Sequence, residues 1–86
     1  MNVRFSKRLV KQLAKLSKRI QATTYTRIDL MLANPDDPIL RRHRLKGHLH
    51  HLWSIDITSD VRALYETIGD DAIIYQLIGT HSELYR

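Results

Sequence analysis

The 86-residue chain suits one small domain, and with 43% apolar and 27% charged residues it has the balance of a globular protein rather than a disordered one. It has no cysteine, which excludes disulfides, iron–sulfur clusters, thiolate zinc sites and a cysteine nucleophile. Fourteen Lys and Arg against nine Asp and Glu leave a formal charge of +5, a balance that points to an anionic partner such as nucleic acid, a membrane surface or an acidic protein.

The chain shows no internal repeat, low-complexity tract or linker, so residues 1–86 are expected to form a single domain. No apolar run approaches the roughly 18–20 residues that span a membrane. The start, Met1-Asn2-Val3-Arg4-Phe5, has no apolar stretch after its charge and does not read as a signal peptide. A soluble, cytoplasmic protein without a membrane partner is the expectation.

Residues 2–5 are short and β-prone and predict a first strand. Ser6 then suits a helix N-cap, although Leu9 at the third helical position rules out a capping box. Leu9, Leu13, Leu16 and Ile20 recur at helical spacing as one apolar stripe, with Lys7, Lys11, Lys15 and Lys18 on another side. Tyr25, Ile28 and Leu32 continue the helical period up to Asn34-Pro35, which stops it, and Thr23-Thr24 marks the expected joint between two helices. Asp36-Asp37-Pro38 predicts a turn.

After Gly47 the period changes to two. Trp53, Ile55 and Ile57 alternate with Leu52, Ser54, Asp56 and Thr58, as in a strand with two different faces. Ser59-Asp60 suits a turn, 61–67 the next strand and Gly69-Asp70-Asp71 a hairpin. Residues 72–78 are almost all apolar, as expected of a central strand buried on both sides, and the tail 81–86 follows Gly79-Thr80. The predicted fold is α+β, with two N-terminal helices packed on one face of a mostly antiparallel four-stranded sheet.

Three groups of residues bear on chemistry. His48 and His50 stand two apart, so on a strand they would share a face in a spacing seen in metal sites. No third ligand is evident, and a solvated polar stretch fits these residues better. Arg41, Arg42, His43, Arg44 and Lys46 form a cationic run that would attract phosphates without reading sequence, or would simply be a solvated surface. Asp56, Asp60, Arg62 and His81 supply the residue types that RNA cleavage needs: a base for the ribose 2′-hydroxyl, an acid for the leaving 5′-oxygen and a cation for the charge on phosphorus. Histidine suits either proton-transfer role because the residue type titrates near neutrality.

The segments His43-Arg44-Leu45-Lys46-Gly47, Trp53 to Asp60, Val61-Arg62-Ala63-Leu64-Tyr65 and Gly79-Thr80-His81-Ser82-Glu83-Leu84-Tyr85 together resemble the RelE superfamily of bacterial toxins, and within it the YafQ branch. The opening Phe5-Ser6-Lys7-Arg8 and the helix after it are similar to the start of that family, so the resemblance spans nearly the whole chain. It implies the RelE-like microbial RNase fold and a type II toxin that cleaves mRNA in the ribosomal A site without metal or cofactor. Such a toxin would be held inactive by a cognate acidic antitoxin.

By position the resemblance assigns His81 as the C-terminal catalytic histidine, Tyr85 as the aromatic four residues later, His43 as the histidine before the Leu-x-Gly step and Asp60 as the acid opening the penultimate strand. Arg62 falls where the wider superfamily places a phosphate-contacting arginine. Asp56 is a departure, since the YafQ branch carries a histidine there. The expected roles are His81 as general acid, Asp60 or Asp56 as base or as the group orienting it, and Arg62 with His43 as stabilisers of the transition state. Lys11, Lys15, Arg41, Arg42, Arg44 and Lys46 are expected to grip ribosomal RNA. The ParE branch, which poisons DNA gyrase without cutting RNA, and a degenerate toxin that only binds its antitoxin remain alternatives.

Overall fold

In the computed structural model, which describes residues 1–85, the chain runs β1 (Asn2–Phe5), α1 (Lys7–Ala14), α2 (Lys18–Ala33), β2 (His43–Arg44), β3 (Trp53–Asp56), β4 (Val61–Ile68), β5 (Ala72–Thr80) and α3 (His81–Leu84). Single 3-10 turns lie at Pro38–Leu40 and Gly47–Leu49. Of the expected tail, Arg86 lies outside the described residues.

Ser6 both ends β1 and starts α1. Its hydroxyl accepts from the Leu9 amide at 2.9 Å and donates to the Gln76 carbonyl at 2.8 Å, which pins the turn to the neighbouring strand. The apolar stripe expected to stay on one helix through Ile20 is cut at Ser17. There the backbone becomes extended, and the hydroxyl accepts from the Ile20 amide at 3.2 Å to begin α2. Thr23 and Thr24, the expected joint, lie inside α2 and donate back to the Arg19 and Ile20 carbonyls at 3.0 and 2.8 Å. The stripe survives the break because Leu9 and Leu13 on α1, and Leu16 and Ile20 beyond it, pack on the same core.

The sheet has five strands, not four, in the order β1-β5-β4-β3-β2. The extra strand is β2, two residues inside the cationic run, which pairs His43 with Ser54 and Arg44 with Trp53. β1 runs parallel to β5 and the other pairs are antiparallel, so the predicted mixture holds at the level of fold class. The almost wholly apolar β5 lies between β1 and β4, where both edges are paired. A third helix, α3, forms in the segment that the sequence reads as a plain tail.

One face of the sheet carries Ile55, Ile57, Val61, Ala63, Tyr65, Ile73, Tyr75 and Ile78 against Leu9, Leu13, Ile28, Met31 and Leu40. Fully burying each aliphatic side chain contributes roughly 1.5–3 kcal/mol. Trp53 packs at the margin of this core, and the Arg42 guanidinium stands 4.7 Å above its ring. By the period of two, Ser54 and Asp56 on β3 and Arg62 on β4 fall on the opposite face. That face carries the candidate site. No helix among the described residues is long and apolar enough to cross a membrane.

Candidate active site

The site begins where β5 turns into α3. Gly79 has no side chain, and a Cβ there would come within 3.3 Å of Glu83 Oε1 and 3.5 Å of the Leu84 side chain, so α3 folds back closely on the strand end. Thr80 caps α3 in a capping box. Its hydroxyl accepts from the Glu83 amide at 3.3 Å, and the Glu83 carboxylate accepts from the Thr80 amide at 2.8 Å. His81 is thereby fixed as the first residue of the helix. Tyr85 follows four residues later, with its ring centroid 4.6 Å from the imidazole.

Arg62 enters from β4, directly opposite Asp56 in the β3–β4 ladder. Its Nε lies 3.4 Å from Asp56 Oδ1, and its Nη1 donates to the Asp60 carbonyl at 3.4 Å. The second carboxylate oxygen of Asp56 lies 3.8 Å from Arg41 Nε.

His43 comes from β2. Just before that strand Arg41 takes a left-handed backbone conformation, with φ at 45°, uncommon for a residue with a side chain. The Arg41 carbonyl stands 2.9 Å from His43 Nδ1. A carbonyl only accepts, so Nδ1 carries the hydrogen and the neutral ring keeps its lone pair on Nε2. The following loop closes on itself: Arg44 Nε donates to the His50 carbonyl at 2.8 Å, and His50 Nδ1 donates to the Gly47 carbonyl at 3.0 Å. Gly47, with φ at 69°, makes the turn that swings Lys46 and His48 toward α3.

These elements enclose an open cavity of about 440 Å³ lined by His43, Lys46, His48, Arg62, His81 and Tyr85, with Leu45 and Leu49 as its apolar part. Four of the six residues expected to act in chemistry therefore share one hollow: His43, Arg62, His81 and Tyr85. Asp56 does not line it and lies behind Arg62. Asp60 lines a different groove, between α2 and the β3–β4 turn, beside Arg19 and Arg27. Neither carboxylate lines the cavity that holds the two imidazoles.

The expected RNA-gripping residues also divide. Lys46 lines the cavity, while Lys11, Lys15 and Arg41 are exposed. Arg44 is exposed but tied into its own loop. Arg42 turns inward: its Nε donates to the Pro35 carbonyl at 3.1 Å and its Nη2 lies 3.2 Å from Asp36 Oδ1. A hydrogen bond with the Tyr65 hydroxyl is the main reason its guanidinium pKa is raised above the ordinary value.

His48 reaches the cavity although it matches no catalytic position of the family that the sequence resembles. The sequence signal was Gly47, whose turn redirects the residue after it. His48 and His50 lie on and just after a 3-10 turn rather than on a strand, so they do not share a strand face. Among the described residues no three His, Asp or Glu side chains are grouped to hold a metal ion.

No family model matches the sequence, and no curated protein does. Solved structures do match in three dimensions. YafQ from E. coli superposes with a TM-score of 0.84 at 17% identity, over 99% of this chain and 98% of that one. The same toxin in the E. coli DinJ-YafQ toxin-antitoxin complex gives 0.81 at 18% identity, over 99% and 97%. The YoeB/ParE toxin from Agrobacterium tumefaciens gives 0.79 at 18% identity, over 94% and 99%. A copper-bound mutant toxin from Helicobacter pylori gives 0.74 at 26% identity, over 99% of each chain. With this strand order and these helices, the chain has the fold of the YafQ and YoeB/ParE toxins.

Proposed function

We propose that this protein is the toxin of a type II toxin–antitoxin pair and a ribosome-dependent mRNA endonuclease. The observation that carries the reading is the cavity that gathers His43, His81, Arg62 and Lys46 around a space large enough for a phosphodiester. In the proposed reaction, His43 Nε2 takes the proton of a ribose 2′-hydroxyl, and that oxygen attacks the adjacent phosphorus in line. Arg62 and Lys46 offset the charge that grows on the phosphoryl oxygens. His81 gives its proton to the departing 5′-oxygen, leaving a 2′,3′-cyclic phosphate that opens to a 3′-phosphate. The base role expected of Asp60 or Asp56 passes to His43 in this reading, because His43 lines the cavity with Nε2 as its lone-pair nitrogen, whereas Asp56 and Asp60 do not line it.

The exposed Lys11, Lys15 and Arg41 suit contact with ribosomal RNA, whose phosphates such cations meet without reading sequence. An acidic antitoxin is the proposed protein partner, supported by the +5 charge of the chain and by its likeness to YafQ as found in the DinJ-YafQ complex. The proposed place of action is the cytoplasm, where ribosomes translate.

Expression of the wild-type and His81→Ala proteins, with primer extension on a translated message, tests the reading. Growth arrest with A-site cuts for the wild type, and neither for the variant, is expected. An SOS response without cuts would favour gyrase poisoning, and an absence of toxicity would favour a chain that only binds its antitoxin.

A further inference from the structure

Asp56 is the best-enclosed carboxylate near the cavity, yet it does not line it. Its side chain is 13% exposed, and that of Arg62, its direct partner across the β3–β4 ladder, is 18% exposed. Arg41 approaches the same carboxylate from the solvent side with its side chain 74% exposed. Two guanidiniums thus converge on one carboxylate, and the cluster retains one net positive charge. The contact to Arg62 is the more consequential, because both of its partners are largely shielded from water and start from fixed positions on paired strands.

We propose that Asp56 is a positioning residue that clasps Arg62 by Nε and so aims the rest of the guanidinium into the cavity, without itself moving a proton. The inference rests on the nuclease reading above. The geometry states the division of labour. Oδ1 engages Nε, the Asp60 carbonyl engages Nη1, and Nη2 has no partner among the described residues, so it is the nitrogen left to meet a phosphoryl oxygen. An unclasped arginine would sample many rotamers, and ordering them would oppose transition-state binding. Arg41 adds a second link. Its side chain reaches Asp56 while its carbonyl holds His43 Nδ1, so the acid lies between the arginine on one wall and the histidine on the other.

A double-mutant cycle with a pH profile tests this. Asp56→Asn keeps the shape and removes the charge. It is expected to lower kcat about tenfold with KM within about twofold, and to leave both limbs of the pH–rate profile in place. Combined with Arg62→Ala it is expected to add nothing to the loss from Arg62→Ala alone, because there is no longer a guanidinium to hold. Asp56→Glu is expected to recover part of the rate. Additive losses in the double variant, or loss of the profile's acidic limb in Asp56→Asn, would overturn the proposal.

If the wild-type protein cuts no RNA, the nuclease reading fails, and the Arg62 Hε resonance then decides the clasp. Slow exchange with water in the wild type that is lost in Asp56→Asn supports it, whereas equal exchange in both overturns it.

Discussion

The rings of His81 and Tyr85 lie with centroids 4.6 Å apart because one helical turn, closed by the Tyr85 amide donating to the His81 carbonyl at 3.0 Å, stacks the two residues on the same side. The aromatic ring limits the positions open to the imidazole. Tyr85→Phe keeps that surface and is expected to retain cleavage within about threefold, whereas Tyr85→Ala is expected to lose about tenfold. Single-turnover cleavage on programmed ribosomes measures both.

The turn bearing His81 depends on its cap. Thr80→Ala removes the hydroxyl half of the capping box, worth about 1 kcal/mol, from a helix of only four residues. Cleavage is expected to fall at least fivefold while the thermal midpoint changes by only a few degrees. A loss of stability as large as the loss of activity would show that α3 supports the whole fold rather than the placement of His81.

The cap also illustrates what the sequence made legible. Thr80-x-x-Glu83 is the capping-box signature, yet it sits in a tail too short to suggest a helix by period. Strand β3 is legible because apolar Trp53 and Ile55 alternate in type with polar Ser54 and Asp56, although Ser54 is buried as well. Strand β2 is not, because two residues cannot display a period. The break at Ser17 is hidden because the apolar stripe continues across it. His43, Arg62, His81 and Tyr85 were assigned together by resemblance and do share a cavity. The different surroundings of Asp56 and Asp60 follow from side-chain packing that residue spacing does not encode.

Arg42 and Lys46 are chemically alike and are expected to behave oppositely. Arg42 stands over Trp53, pairs with Asp36 and bonds the Pro35 carbonyl, so Arg42→Ala is expected to cost about 1 kcal/mol of stability. Lys46 lines the cavity and has no such ties among the described residues. Lys46→Ala is expected to leave stability unchanged and to reduce the salt dependence of RNA binding by about one unit of slope. Urea unfolding and binding titrations at several salt concentrations separate the two.

Tyr75 is fully buried, and its hydroxyl finds no hydrogen-bond partner among the described residues. Burial, with the nearby Tyr65, pushes its pKa above the ordinary phenol value. The unfolded chain therefore ionises first as pH rises. The contribution of this group to stability is complete below about pH 10 and declines above it. Tyr75→Phe is expected to be neutral, or stabilising by up to about 1 kcal/mol, near pH 8, and to shrink the loss of stability on going to about pH 10.5. Urea midpoints at the two pH values measure this.

The chemistry of the cut ends tests the central claim most directly. Purified protein added to ribosomes halted on a defined message is predicted to leave a 2′,3′-cyclic phosphate or 3′-phosphate on the upstream fragment and a 5′-hydroxyl on the downstream one, with neither fragment formed by His81→Ala. Intact message with the wild-type protein, or a downstream fragment bearing a 5′-phosphate, would contradict it.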